Sequence, residues 1–115
     1  MYPEEMVAPM RRELTNEGFV ELKTADEAES IITKNEGTML MVVNSVCGCA
    51  AGSARPGIIN SLERSEKKPQ HLYTVFAGVD QEATLKVREH LLPYPPSSPF
   101  IALFKNDQVV HVVER

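Results

Sequence analysis

The two cysteines of the chain, Cys47 and Cys49, are separated by a single residue, Gly48. Thiolates are the nucleophiles of disulfide exchange and the preferred ligands of soft metal ions. Two thiols this close in sequence can also form a disulfide with each other. Redox exchange, metal binding and inert packing in a core are therefore the three interpretations that the spacing leaves open.

The segments on either side of the pair predict a reactive thiol. The run 39–44 is apolar enough for a buried strand, and the residues from Ala50 onward can begin a helix. A thiol at a strand-to-helix junction faces free backbone N–H groups and the positive end of the helix dipole. Such surroundings lower a cysteine pKa from about 8.5 to roughly 3.5–7.5.

Composition limits the class of protein. A chain of 115 residues with 43% hydrophobic residues predicts one globular domain, residues 1–115. A net charge of −4 gives no indication of a nucleic-acid surface. The N-terminal residues lack a signal-peptide pattern, and no apolar run approaches the about 20 residues that span a membrane. We therefore expect a cytoplasmic protein, in which a close cysteine pair is more often catalytic or metal-binding than structural.

Hydrophobic periodicity predicts the elements that position the pair. A helix begins at Pro3 and carries the apolar residues Met6, Val7, Met10 and Leu14. A strand at 19–22 and a helix with the capping-box pair Thr24 and Glu27 follow. After the strand at 39–44 and the cysteines, the next helix bends near Pro56.

The second half of the chain continues the alternation. A strand is predicted at 71–76, and Asp80 caps a helix that runs to about His90. The apolar residues of this helix are Ala83, Leu85, Val87 and Leu91. Strands at 100–104 and 109–113 form a hairpin. The order predicts an α/β fold with a central mixed sheet, flanking helices and an extra N-terminal helix. Its first three strands are parallel, and the hairpin is antiparallel at one edge.

This order, with cysteines after the second strand and Ser98-Pro99 just before the fourth, resembles the thioredoxin fold. The resemblance implies a cis proline that lies against the active-site cysteines, and a preceding residue that offers its backbone to substrate. Ser98 and Pro99 are thus candidate substrate-binding residues, and a cis X–Pro bond costs only about 0.5–1 kcal/mol. The alternative is that the prolines of the segment 93–99 only stiffen a loop.

A more specific resemblance is to the bacilliredoxins, small thioredoxin-like proteins of bacillithiol-producing bacteria. It rests on the stretch 43–57, VNSVCGCAAGSARPG, on the opening Met1-Tyr2-Pro3 and on the loop 94–99, and it extends over essentially the whole chain. The resemblance implies a thiol–disulfide oxidoreductase that removes bacillithiol from S-bacillithiolated client proteins. Bacillithiol, a low-molecular-weight thiol, is then a co-substrate and no cofactor is bound. A disulfide isomerase or reductase is the closest alternative.

Within this hypothesis Cys47 is the nucleophile, because it comes first at the predicted helix start, and Cys49 is the resolving thiol. The backbone N–H groups of Gly48 and Cys49 are placed to stabilise the thiolate. Arg55, about two helical turns further on, is a candidate for binding the carboxylates of bacillithiol. A solvent-facing or carboxylate-paired arginine is the alternative for Arg55.

The chain departs from thioredoxins proper in several respects. It has no tryptophan, and residues 39–43 contain no carboxylate to accept the proton of a resolving thiol. It stops directly after the last predicted strand, so we expect the usual C-terminal helix to be missing and one sheet face to be bare. Such a face is compatible with a weak homodimer.

A function of another class also remains open. Cys47 and Cys49 are the sulfur ligands that a carrier of Cu(I), or part of an iron–sulfur site, would need. His71, His90 and His111 show no ligand spacing to the cysteines, so metal binding would require a partner or a dimer.

Overall fold

The computed structural model describes residues 3–46, 57, 69–91 and 100–114, with the backbone alone at 113 and 114. The helices in these ranges are α1 (Glu4–Thr15), α2 (Ala25–Thr33) and α3 (Gln81–His90). The strands are β1 (Val20–Glu21), β2 (Thr38–Asn44), β3 (His71–Phe76), β4 (Phe100–Lys105) and β5 (Gln108–Glu114). The helix predicted after the cysteines lies outside the described residues except at Gly57, where the backbone is helical.

The strands form one mixed sheet in the order β1-β3-β2-β4-β5. β1 and β2 both run parallel to β3, whereas β4 is antiparallel to β2 and β5 is antiparallel to β4. The α/β class, the three parallel strands and the antiparallel hairpin at one edge are therefore confirmed. The order makes β2, which leads to the cysteines, the central strand.

β1 is shorter than predicted. Only Val20 and Glu21 have strand geometry, instead of the four residues 19–22. The flanking residues Phe19 and Leu22 are nevertheless buried, and the N–H of Leu22 donates to the Thr74 carbonyl at 2.8 Å. The side chain of Val20 is exposed, as expected on an edge strand.

α1 buries a different stripe from the predicted one. Val7 and Leu14 are fully buried as expected, but Met6 is 46% exposed and Arg11 only 5%. Positions 7, 11 and 14 are spaced by four and three residues, so they share one helix face. Arg11 thus occupies a place on the inner face of α1 that the apolar pattern did not assign to it.

The capping box of α2 is confirmed. The hydroxyl of Thr24 accepts the N–H of Glu27 at 3.2 Å, and the carboxylate of Glu27 accepts the N–H of Thr24 at 3.2 Å. This reciprocal pair satisfies two backbone donors at the start of the helix, which fixes where the helix begins.

α3 differs from its prediction in two side chains. Asp80 occupies the N-cap position, but its carboxylate makes no capping hydrogen bond. Leu85 is 63% exposed, whereas Ala83 and Val87 are fully buried. Because successive residues of a helix are about 100° apart, Leu85 lies roughly 200° from either of them and cannot share their buried face.

Apolar side chains pack on both faces of the sheet. The face covered by α2 and α3 carries the larger cluster, whose strand members include Met39, Met41, Val43, Val75, Ala102 and Phe104. On the opposite face Leu14 of α1 packs with Phe19 and Val42, and Leu40, Leu72 and Ile101 are partly buried against them. Alternate residues of β2 serve the two faces, so this strand is held on both sides.

Candidate active site at the carboxyl edge of the sheet

The predicted reactive pair follows β2 closely in the chain. β2 ends at Asn44, and Ser45 and Val46 are the last described residues before Cys47. The predicted site residues themselves lie outside the described residues: Cys47, Gly48, Cys49, Arg55, Ser98 and Pro99. The described residues around them are those of the strand ends and turns at this edge of the sheet.

Strand register brings the two predicted site segments to one edge. Val43 of β2 pairs with Phe100 of β4 in an antiparallel arrangement. Cys47 comes four residues after Val43, and Pro99 immediately precedes Phe100. The chain therefore enters the cysteine segment and leaves the Ser98-Pro99 segment at neighbouring positions of the sheet.

Asn44 fixes the end of β2 to the elements on both sides. It is only 1% exposed, and its side-chain amide donates to the Met10 carbonyl of α1 at 3.3 Å. Its amide oxygen accepts the N–H of Ser45 at 2.9 Å, and its backbone carbonyl accepts the N–H of Ala77 at 2.9 Å. These bonds orient the chain where it leaves the sheet.

Arg11, the residue after Met10 in α1, brings together carboxylates from three segments of the chain. A guanidinium nitrogen donates to Glu21 at the end of β1 and, at 2.7 Å, to Asp80 before α3. A second nitrogen lies 3.3 Å from both Asp80 and Glu4. Nε is 3.0 Å from a Glu4 oxygen, an ion-pair contact without hydrogen-bond geometry. We call Arg11, Glu4, Glu21 and Asp80 the Arg11 cluster.

Local structure places Glu21 and Asp80 of the Arg11 cluster at this edge. Glu21 is in register with Thr74 of β3, two residues before the strand ends. Asp80 is set by the turn after β3, in which its N–H donates to the Phe76 carbonyl at 2.9 Å. The Phe76 ring lies 5.2 Å from the guanidinium carbon of Arg11, within cation–π range.

The surroundings of Arg11 favour its protonated, positively charged form. Burial by itself lowers the pKa of a guanidinium, but hydrogen bonds to Asp80 and Glu21 outweigh it, so the pKa of Arg11 is raised above its ordinary value. Arg11 therefore carries its positive charge at neutral pH. One cation faces three carboxyl groups, so the Arg11 cluster is negative overall when all of them are ionised.

Sequence reasoning missed the Arg11 cluster, although one signal was present. The positions Val7, Arg11 and Leu14 follow the helical spacing of a buried stripe, and the adjacent Arg12 faces solvent. A charged residue on that stripe requires a partner. Residues 39–43 of β2 contain no carboxylate. Acidic groups reach the carboxyl edge of the sheet from other segments instead: Glu21 from β1 and Asp80 from the turn before α3.

The histidines show no metal arrangement in the part of the chain that the structure describes. His90 contacts Glu29 at 2.8 Å, and His71 stacks on Tyr73 with ring centroids 6.4 Å apart. Within the same residues there is no group of three or more His, Cys, Asp or Glu side chains that could hold a metal ion.

Solved structures share this architecture. A protein with a thioredoxin fold superposes with a TM-score of 0.66 and 18% identity, over 83% of this chain and 80% of its own. Thioredoxin O2 from Arabidopsis thaliana gives a TM-score of 0.55 with 18% identity, over 84% of this chain and 82% of its own. At such identities the likeness establishes the thioredoxin fold that the sequence predicted.

Sequence relatives are much closer. A family model described as disulphide isomerase matches residues 2–115. The bacilliredoxin of Cytophaga hutchinsonii is 62% identical over 115 residues, which cover 100% of this chain and 84% of that protein. The bacilliredoxin of Geobacillus kaustophilus is 55% identical over 114 residues, 99% of this chain and 79% of that protein.

The fold and these relatives define a thiol–disulfide oxidoreductase of the thioredoxin class. In the sequence its cysteines follow the central strand β2, whose last residue, Asn44, is hydrogen-bonded to α1 next to Arg11. The chain belongs to the bacilliredoxin family, as its resemblance to that family indicated. No described helix is both long and apolar enough to cross a membrane.

Proposed function

We propose that the protein removes bacillithiol from S-bacillithiolated protein cysteines, with Cys47 as the nucleophile. The observation that carries the proposal is the match, over the whole of this chain, to relatives named bacilliredoxin, because that name implies bacillithiol as the substrate thiol. Cys47 and Cys49 are the two cysteines of this sequence, so thiol chemistry of these 115 residues uses one or both of them.

The first step is an exchange of one disulfide for another. The Cys47 thiolate attacks the bacillithiol sulfur of the mixed disulfide, a Cys47–bacillithiol disulfide forms, and the client sulfur leaves as a thiolate. The client cysteine is thereby reduced and the Cys47 sulfur oxidised. Protonation of the departing thiolate from solvent completes the step.

Two routes then regenerate the enzyme. In the first, the Cys49 thiolate attacks the Cys47 sulfur, bacillithiol leaves as a thiolate, and a Cys47–Cys49 disulfide remains for an external thiol to reduce. In the second, another bacillithiol thiolate attacks the bound bacillithiol sulfur, which releases bacillithiol disulfide and free Cys47. A bridge across one intervening residue has tight geometry.

The remaining candidate residues have binding roles in this proposal. The N–H groups of Gly48 and Cys49 stabilise the Cys47 thiolate, and Arg55 binds a bacillithiol carboxylate. Ser98 and Pro99 contact the client beside the disulfide. Support comes from the register of Val43 with Phe100, which leads both segments to one edge of the sheet.

Protein disulfide isomerisation is the second candidate, because the matching family model is described as disulphide isomerase. The two activities share the nucleophile and the fold, and they differ in the disulfide that Cys47 attacks. An isomerase prefers a protein disulfide, whereas the proposed enzyme prefers a mixed disulfide with a small thiol.

Intact-mass spectrometry distinguishes these functions. We expect the reduced Cys49→Ala variant, mixed with a bacillithiolated model protein, to gain one bacillithiol while the client loses one. The matched Cys47→Ala variant should gain none. Transfer by the Cys47→Ala variant would overturn the assignment of the nucleophile. No transfer by either variant, with scrambled disulfides rearranged by the wild type, would establish isomerisation instead. Stoichiometric Cu(I) binding without any thiol exchange would identify a metal carrier.

A further inference from the structure

One hydrogen bond ties the strand that leads to the cysteine segment to the helix that carries Arg11. Asn44, the last residue of β2, is hydrogen-bonded to Met10, the residue before Arg11. Cys47 is three residues beyond Asn44, and a chain extends by at most about 3.3–3.6 Å per residue, so the Cα of Cys47 lies within about 11 Å of the Cα of Asn44. Charges one or two such distances apart interact measurably at low ionic strength, at which the screening length is about 30 Å.

In the Arg11 cluster three carboxylates surround a single guanidinium, so negative charge is in excess. Glu4 comes from α1, Glu21 from β1 and Asp80 from the turn before α3, and the Phe76 ring of β3 adds no charge. The carboxylates of Glu21 and Asp80 are largely buried, with side chains 21% and 11% exposed. Carboxylates near a thiol disfavour its thiolate form, because like charges repel. The guanidinium of Arg11 opposes that effect.

We infer that Arg11 is a positioning residue for the thiol chemistry. It holds Glu21 and Asp80 at the carboxyl edge of the sheet and offsets part of their negative charge, so that the cluster disfavours the Cys47 thiolate less. Through α1 it also keeps Met10 in place to accept the hydrogen bond of Asn44, where the chain turns toward Cys47. The inference rests on the proposed function in one respect, namely that Cys47 is the nucleophile.

The test measures thiol ionisation without bacillithiol. The rate of Cys47 alkylation by iodoacetamide is followed against pH in full-length Cys49→Ala protein, at about 0.01 M and 0.15 M ionic strength. We expect Arg11→Met to raise the pH midpoint by about half a unit at low salt, about a threefold loss of thiolate below the midpoint. The shift should shrink at higher salt, because the screening length falls from about 30 to about 8 Å.

Two further variants separate charge balance from other effects. Arg11→Lys keeps the positive charge and should return the midpoint most of the way to the parent value. Arg12→Met removes a positive charge from the exposed neighbouring position, and it should shift the midpoint by less than a third as much. A shift with Arg12→Met as large as that with Arg11→Met would mean that net charge alone is responsible, and it would overturn the inference.

Carboxylate variants give the opposite sign and remain decisive if Arg11→Met fails to fold. Asp80→Asn and Glu21→Gln each remove a negative charge and leave Arg11 in place, so the midpoint should fall. Circular dichroism and size-exclusion chromatography establish which variants are folded. An unchanged or raised midpoint in folded carboxylate variants, or an unchanged or lowered one in folded Arg11→Met, would refute the inference. Because alkylation needs no bacillithiol, this result is independent of whether bacillithiol transfer is observed.

Discussion

The guanidinium of Arg11 is buried beside three carboxylates, although the adjacent Arg12 faces solvent. The difference comes from position on the helix, because residue 11 falls on the same face as Val7 and Leu14. A buried charge needs partners, and these come from residues 7, 10 and 69 positions away in the chain. Their identity could not be predicted from sequence.

Asn106 shows a second residue whose conformation depends on a distant contact. It has a positive φ of 56° in the turn between β4 and β5. Its side-chain oxygen accepts the N–H of Gly37 at 3.0 Å, and its own N–H donates to the Gly37 carbonyl at 2.8 Å. Asparagine tolerates the left-handed conformation better than most residues, and here its amide also ties the hairpin to the start of β2.

Substitution of Asn106 should separate these two contributions. Asn106→Ala loses the side-chain hydrogen bond and strains the left-handed backbone, so we expect the free energy of unfolding to fall by about 2 kcal/mol. Asn106→Gly loses the same hydrogen bond without the strain and should cost about 1 kcal/mol. Urea titration measures both, with Asp107→Ala at the exposed neighbouring position as control. Equal losses for alanine and glycine would show that the backbone is not strained.

At the scale of elements, local signals predicted where most helices and strands lie. The capping box set the start of α2, and the strand patterns gave β2, β3, β4 and β5 to within one or two residues. β1 was predicted too long, because its flanking residues Phe19 and Leu22 are buried although they lie outside the two residues with strand geometry. Apolar character indicates burial more directly than it indicates strand pairing.

The capping box gives an element-scale prediction. Thr24→Ala removes the oxygen that accepts the Glu27 N–H, so we expect unfolding to become easier by about 1 kcal/mol. Thr24→Ser keeps an oxygen at that position, so its free energy of unfolding should fall by at most about 0.3 kcal/mol. Thermal and urea unfolding measure the difference. If Ala and Ser variants were equally stable, the capping bond would contribute nothing to α2.

For the whole molecule, packing between helices that are distant in sequence completes the fold. α2 and α3 cover the same face of the sheet, and Glu29 of α2 contacts His90 at the end of α3 at 2.8 Å. The hydrogen bond from His90 lowers the pKa of Glu29 below its ordinary value of 4.5. His90 is the last residue of α3, so the contact joins the end of this helix to α2.

This pair predicts a pH dependence of stability. A carboxyl group whose pKa is lowered by folding stabilises the folded state above its ordinary pKa, and this contribution is lost as the pH falls through the lowered value. The wild type should therefore exceed Glu29→Gln in stability at pH 5.5, and the gap should close toward pH 3. Urea titrations at both pH values measure it, with Glu82→Gln on the exposed side of α3 as control. A gap that persists at pH 3 would mean that ionisation of Glu29 is not its source.

The sequence by itself predicted the cysteine pair as the reactive groups and the class of fold, which depend on residue types, spacing and local periodicity, and its resemblance to known sequences indicated the family. The cysteine pair, the capping box and the alternation of strands and helices are all readable within short windows of the chain. Tertiary structure alone decided that Arg11 is buried, that Asp80 binds Arg11 instead of capping α3, and that Glu21 joins them. The physical reason is that a buried charge takes whichever opposite charge the folded chain brings near, and sheet order brings together residues that are far apart in sequence.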